Sequence, residues 1–136
     1  MRHHTQRLRV NFVDTDLSGR IHYTAAMRYF ETTEHALMRA VFAELDEERP
    51  MLPRVHVEAD FKAMLSWEDE IDCTARILKV GRSSLTFGYD VVRSDDGLEV
   101  ITGKIVAVSV DPRGRSAPLS DGLRAALEKD LAAGIP

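Results

Sequence analysis

The sequence holds a single cysteine, Cys73, no excess of basic charge, and no apolar run near the roughly 18 residues that a membrane helix needs. One cysteine excludes an intramolecular disulfide and suits a reducing compartment, so a cytoplasmic location is expected. The opening residues Met1-Arg2-His3-His4-Thr5-Gln6-Arg7 lead into no apolar stretch, so no secretory signal is expected. Lys and Arg total 18 against 22 Asp and Glu, a formal net charge of −4. That balance argues against nucleic acid as a partner but leaves room for a local basic patch facing a phosphorylated ligand. HExxH, CxxC and GxSxG are all missing, and His22, His35 and His56 lie far apart, so neither a metal site nor a nucleophile elbow is expected. The glycines build no phosphate-cradling loop ahead of a helix. No cofactor is implied, and no membrane partner. Cys73 falls on the apolar face of a strand pattern, where a lone thiol usually serves as a small buried hydrophobe.

What is present is a clear order of elements. With 136 residues, 44% of them hydrophobic and 29% charged, the chain fits one soluble globular domain over 1–136. Leu8, Val10 and Phe12 alternate with polar neighbours between Gln6 and Val13, which predicts a short half-buried strand. Asp14 to Gly19 reads as a polar turn. From Thr24 to about Ala43 there is neither glycine nor proline. Ala25, Ala26, Tyr29, Phe30, Thr33, Leu37, Ala40 and Val41 recur there at helical spacing, with Thr24 as the expected N-cap.

Asp46 to Pro53 is a loop. Val55, Val57, Ala59, Phe61 and Ala63 then alternate with polar residues, so this strand should bury one face. Ile71, Cys73, Ala75 and Ile77 repeat the pattern before a turn at Gly81-Arg82. Leu85, Phe87, Tyr89 and Val91 follow, then a turn at Asp95-Asp96-Gly97. Val100 to Val110 is apolar on both sides and reads as central or interfacial. After a loop from Pro112 to Pro118, Ser120 should cap a helix running to about Ala132. The fold class expected is α+β, with a five-stranded antiparallel sheet wrapped around a long helix, plus a short C-terminal helix.

Chemistry concentrates in Val13-Asp14-Thr15-Asp16-Leu17-Ser18-Gly19-Arg20-Ile21-His22-Tyr23. Two carboxylates, a glycine turn and a His-Tyr pair sit between the first strand and the long helix, and a loop held by rigid elements is a favourable place for a site. On spacing alone, an Asx-turn role for Asp14 or Asp16 is the simpler account.

The segment from Phe12 to Glu31 resembles the opening motif of the 4-hydroxybenzoyl-CoA thioesterase family, which usually reads D-T/C-D-x-x-G followed by an aromatic-rich helix start. Pro53 to Phe61 resembles that family's second strand, Val80 to Phe87 its turn after the third strand, and Asp121 to Leu127 its helical ending. The resemblance implies a hotdog fold and hydrolysis of acyl-CoA thioesters, with Asp16 as the catalytic carboxylate acting as nucleophile or general base. It also implies that Gly19 makes the turn that aims Asp16. Asp14, two residues earlier, would repel Asp16 if the turn stays strand-like, and a structural role is expected for it. His22 and Tyr23 stand where relatives carry these two residue types in the opposite order, orienting Asp16 or lining the acyl pocket. Ala26 replaces a frequent aromatic and would widen that pocket, and Glu31 matches a common family glutamate. A backbone donor for the carbonyl oxygen would fall near Met51 or Leu52, where the family's glycine is missing. Arg82, with Ser83 and Ser84, matches part of a phosphate-binding turn, and Lys62 is a second candidate for coenzyme A. A homodimer or homotetramer with sites between subunits is implied. Two alternatives remain open: a non-catalytic acyl-CoA-binding or regulatory domain, and a thioesterase for carrier-protein-bound acyl groups.

Overall fold

The computed structural model describes residues 1–129. Five strands, β1 (His3–Arg9), β2 (Arg54–Phe61), β3 (Glu70–Val80), β4 (Ser84–Arg93) and β5 (Glu99–Val108), form one sheet in the order β1-β3-β4-β5-β2. Every neighbouring pair is antiparallel. The long helix α1 (Ala25–Ala43) lies on one face of this sheet, and the short helix α2 (Asp121–Glu128) closes one end. The arrangement is α+β and is the hotdog fold expected from the resemblance.

The helix forms because nothing in its 19 residues interrupts the backbone ladder. Its buried stripe of Ala26, Tyr29, Phe30, Thr33, Leu37 and Val41 meets Cys73, Ala75, Phe87, Tyr89 and Val91 from the sheet. Phe30 stacks on Tyr89 with ring centroids 4.4 Å apart. Close approach of Phe30 to β5 needs Gly103, where a Cβ would stand only 2.4 Å from the ring. Cys73 is fully buried, and burial pushes its thiol up to about 12, which leaves it chemically quiet.

Several expectations are corrected. The first strand starts three residues earlier than its alternation suggests and stops at Arg9, because the Asp14 carboxylate accepts the Asn11 N–H (2.9 Å) and curls Phe12–Asp14 into a 3₁₀ turn. Val10 is fully buried, whereas Phe12 is 73% exposed. Thr24 is not a side-chain cap: its hydroxyl pairs with His22 Nδ1 (2.8 Å), and the first helical N–H groups are taken by the His22, Tyr23 and Thr24 carbonyls instead. The buried face expected for β2 is not buried within one chain. β2 is one of the two edge strands, and Val57 and Phe61 remain 47% exposed on the helix-bearing side of the sheet. The last strand lies between β4 and β2 and is therefore interior. Ser120 does cap α2, its side chain accepting the Leu123 N–H (3.0 Å). The part of that expected helix beyond 129 lies outside the described residues.

Candidate active site

The turn that carries Asp16 hangs between the end of β1 and the start of α1 and is tied down almost wholly by backbone bonds. Asp16 N–H donates to the Arg20 carbonyl (2.9 Å) and Gly19 N–H to the Asp16 carbonyl (3.0 Å). Gly19 adopts φ +78°, a left-handed value that a side chain would strain. A second segment fixes the turn from outside. Trp67 N–H donates to the Gly19 carbonyl (3.3 Å), Ile21 N–H to the Leu65 carbonyl (3.0 Å), and Arg20 bridges to Ser66.

The two aspartates of this segment differ sharply. Asp14 is buried and receives Arg28 Nη2 on one oxygen, with the Tyr29 hydroxyl (3.1 Å) and the Asn11 N–H on the other. Burial alone would raise its pKa, but these donors outweigh it and hold the carboxyl below its ordinary range. Both oxygens of Asp14 are thus engaged in structure. Asp16 is exposed, and only its Oδ1 is engaged, by the Ser18 hydroxyl (2.5 Å) and the Ser18 N–H (2.8 Å). Those two bonds, with the nearby charges of His22 and Arg20, also hold Asp16 low, so it is ionised at neutral pH.

His22 and Tyr23 stand beside the turn as an exposed stack, centroids 4.6 Å apart. His22 Nδ1 takes the Thr24 N–H (3.3 Å) and faces the Thr24 hydroxyl, which leaves Nε2 to the outside. Ala26 is fully buried in the core, while Glu31 is on the exposed side of α1. Around Asp16 the surface is unusually apolar: Val13, Leu17, Tyr23, Met64 and the edge-to-face pair Phe12–Trp67 (5.5 Å) are all more than half exposed.

Within one chain the expected site residues divide between the two ends of the sheet. Asp16, Gly19, His22 and Tyr23 gather at the end where β1 finishes and β3 begins. Lys62 lies at that same end, but its ammonium is paired with Glu99 (2.6 Å). Met51, Leu52, Arg82, Ser83 and Ser84 belong to the opposite end, where β2 starts and β3 turns into β4. At about 3.3 Å per residue, a strand the length of β4 separates the two groups by roughly 30 Å. Met51 is half-exposed, and its carbonyl accepts the Val110 N–H (3.1 Å). Arg82 is exposed in a turn whose carbonyls are held by the Leu119 N–H (2.9 Å) and by Arg124, which reaches Gly81 at 2.8 Å. Two arginines not singled out from the sequence stand nearby. Arg113 and Arg115 sit in a loop shaped by Asp111, whose Oδ1 accepts both their N–H groups (2.8 and 3.0 Å). That loop is anchored by the Ser109 N–H to the Ser83 carbonyl (2.7 Å).

A Thioesterase superfamily model matches residues 18–100. The chain belongs to the thioesterase superfamily. A curated protein of Aquifex aeolicus (strain VF5), named "Putative esterase", is 26% identical over 113 residues, 75% of this chain and 88% of its own length. The crystal structure of a 1,4-dihydroxy-2-naphthoyl-CoA thioesterase from Synechocystis is similar with a TM-score of 0.81 at 17% identity, covering 92% of this chain and 95% of that one. A gentisyl-coenzyme A thioesterase structure is similar with a TM-score of 0.77 at 21% identity, covering 90% and 98%. At these identities the structural likeness establishes the fold, and superfamily membership supports thioester hydrolysis in general. Among the described residues no helix is long and apolar enough to cross a membrane.

Proposed function

We propose that this protein hydrolyses acyl-CoA thioesters and that Asp16 is its reacting carboxylate. The observation that carries the reading is the contrast within one turn: Asp14 has both oxygens held by donors, whereas Asp16 keeps Oδ2 unengaged on an exposed, ionised side chain. A carboxylate in that state serves thioester chemistry by either of two routes. It adds to the carbonyl carbon and expels the CoA thiolate, leaving a mixed anhydride for water to open, or it takes a proton from the water that attacks. The apolar rim of Phe12, Val13, Leu17, Tyr23 and Trp67 suits an acyl group, and an aromatic acyl group agrees with the substrates named for the two structural relatives.

Coenzyme A needs cations as well, and Arg82, Arg113 and Arg115 supply them at the far end of the sheet. Two copies joined along their β2 edges about a two-fold axis bring the arginine end of one protomer towards the Asp16 end of its partner. The half-exposed Val57 and Phe61 on that edge favour this pairing. The active form is therefore proposed as a homodimer, alone or doubled into a homotetramer. A cytoplasmic location, suited to the reduced Cys73, is part of the same proposal.

A thiol-release assay over a panel of aromatic and aliphatic acyl-CoAs, with the matching carrier-protein thioesters, tests the reading. Turnover of at least one CoA ester is expected, with Asp16→Asn at least a hundredfold slower, on the order of what loss of a principal catalytic group causes. Arg82→Ala should raise KM for CoA esters more than for pantetheine thioesters. Full activity of Asp16→Asn refutes the assignment. Turnover of carrier-protein thioesters alone refutes the CoA substrate.

A further inference from the structure

We propose that Ser18 is a positioning residue for Asp16, fixing Oδ1 so that Oδ2 alone meets the thioester carbonyl or its attacking water. This rests on the assignment of Asp16 made above. The geometry is specific about direction. An ionised Asp16 can only accept, so the Ser18 hydroxyl donates to Oδ1 (2.5 Å), and the Ser18 N–H joins it there (2.8 Å). The hydroxyl oxygen in turn accepts the Arg20 N–H (3.3 Å), which leaves its single proton for the carboxylate. Both donors therefore come from one residue and converge on one oxygen. The carboxylate is pinned in rotation, and its second oxygen is left with both lone pairs open.

Such pinning matters here because Asp16 has little else to hold it. It is exposed, and the surrounding turn supplies only backbone contacts to its main chain. A reacting oxygen that swings freely loses the alignment on which effective molarity depends, and a displacement near 1 Å can cost on the order of 100-fold in rate. The same two bonds keep the carboxylate ionised into the acid range. Other charges around it are Arg20 and His22 on its own segment, Glu68 and Asp69 on the segment packed against the turn, and the Asp14–Arg28 pair at the helix start. Of these, Arg20 and His22 act in the same sense as Ser18, though more weakly. Ser18 is thus the side chain that most controls both the orientation and the titration of Asp16.

Ser18→Ala and Ser18→Thr, compared with the wild type and Asp16→Asn, provide the test. Ser18→Ala should keep the thermal midpoint and leave KM nearly unchanged, while kcat falls on the order of tenfold. The acid limb of its kcat/KM profile should move to higher pH, because the free-enzyme carboxylate has lost its strongest donor. Ser18→Thr restores the hydroxyl and should recover both. Carbon-13 NMR titration of the Asp16 carboxyl gives the same answer without turnover: a higher midpoint in Ser18→Ala, a wild-type one in Ser18→Thr. An unmoved carboxyl titration, or wild-type kcat and pH profile in Ser18→Ala beside an inactive Asp16→Asn, overturns the role of Ser18 and leaves Asp16 standing. A fully active Asp16→Asn overturns both.

Discussion

Arg28, in the first turn of α1, clamps Asp14 from solvent while Tyr29 next to it donates to the same carboxylate from the core side. One aspartate thereby welds the β1–α1 connection to the helix, and the neighbouring turn is free to carry a second aspartate outward.

Asp14 makes stability depend on pH in a defined sense. Its folded pKa is below the unfolded value, so its stabilisation is present above the ordinary carboxylate range and is lost as pH falls through the folded pKa. Asp14→Asn should cost about 2 kcal/mol at neutral pH, since it keeps the shape but loses the charge-assisted bonds. Urea unfolding at a series of pH values should show the gap from wild type closing in acid. A constant gap would mean that the ion pair contributes nothing.

Glu34 titrates the other way. Burial pushes its carboxyl up, countered by Arg54, whose Nη2 donates to Oε1, and by His35. A raised folded pKa stabilises below the unfolded value, and that stability is lost as pH rises through the folded pKa. Removing the cation with Arg54→Met strands the carboxylate and should cost about 3 kcal/mol near pH 8 and less near pH 5, because a carboxyl already raised by burial and now without its cation protonates more readily. The double variant Glu34→Gln/Arg54→Met should lose this slope. Equal destabilisation of Arg54→Met at both pH values would contradict the account.

Glu68 holds φ +70°, the only described non-glycine residue in the left-handed region. That conformation costs a residue with a Cβ about 1 kcal/mol. Glu68→Gly should therefore leave stability unchanged or raise it by up to about 0.5 kcal/mol once the extra freedom of the unfolded chain is counted. A lower thermal midpoint would show that the glutamate side chain contributes more than its backbone loses.

The β2 edge predicts assembly. Val57→Lys adds charge to a side chain already exposed in the single chain, so the protomer should fold. Sedimentation should report a monomer, and hydrolysis of CoA esters should drop with it if the arginines act across the interface. A dimer that persists would place the contact elsewhere.

Much of the fold was legible because its signals are local. The alternation from Val55 to Ala63 and from Ile71 to Ile77 marks strands, and the unbroken run to Ala43 marks the helix. What was not legible is long-range. Phe12 extends the alternation of β1, yet Asp14 turning back on Asn11 ends the strand before it. Nothing near Val57 says that its strand is an edge strand. Glu34 sits between Phe30 and Leu37 on the buried stripe, but its partner Arg54 comes from another element. The candidate site divides on the same line. The Asp16 turn is contiguous and was readable, whereas the distance from Arg82 follows from strand direction. Ser18 had a local signal, a hydroxyl two residues after a carboxylate, that is ordinarily taken for a plain turn.

The sheet's other border has a different character. Along β1, Arg7 pairs with Asp72 (2.9 Å) and Arg9 with Glu70 (2.5 Å), so charge lines the strand where a newcomer would have to dock. A ribbon receptive on one margin and refractory on the other can gain one neighbour but cannot go on growing. The side-by-side association proposed through β2 would therefore terminate at a pair, and a fibre would be denied its second point of attachment.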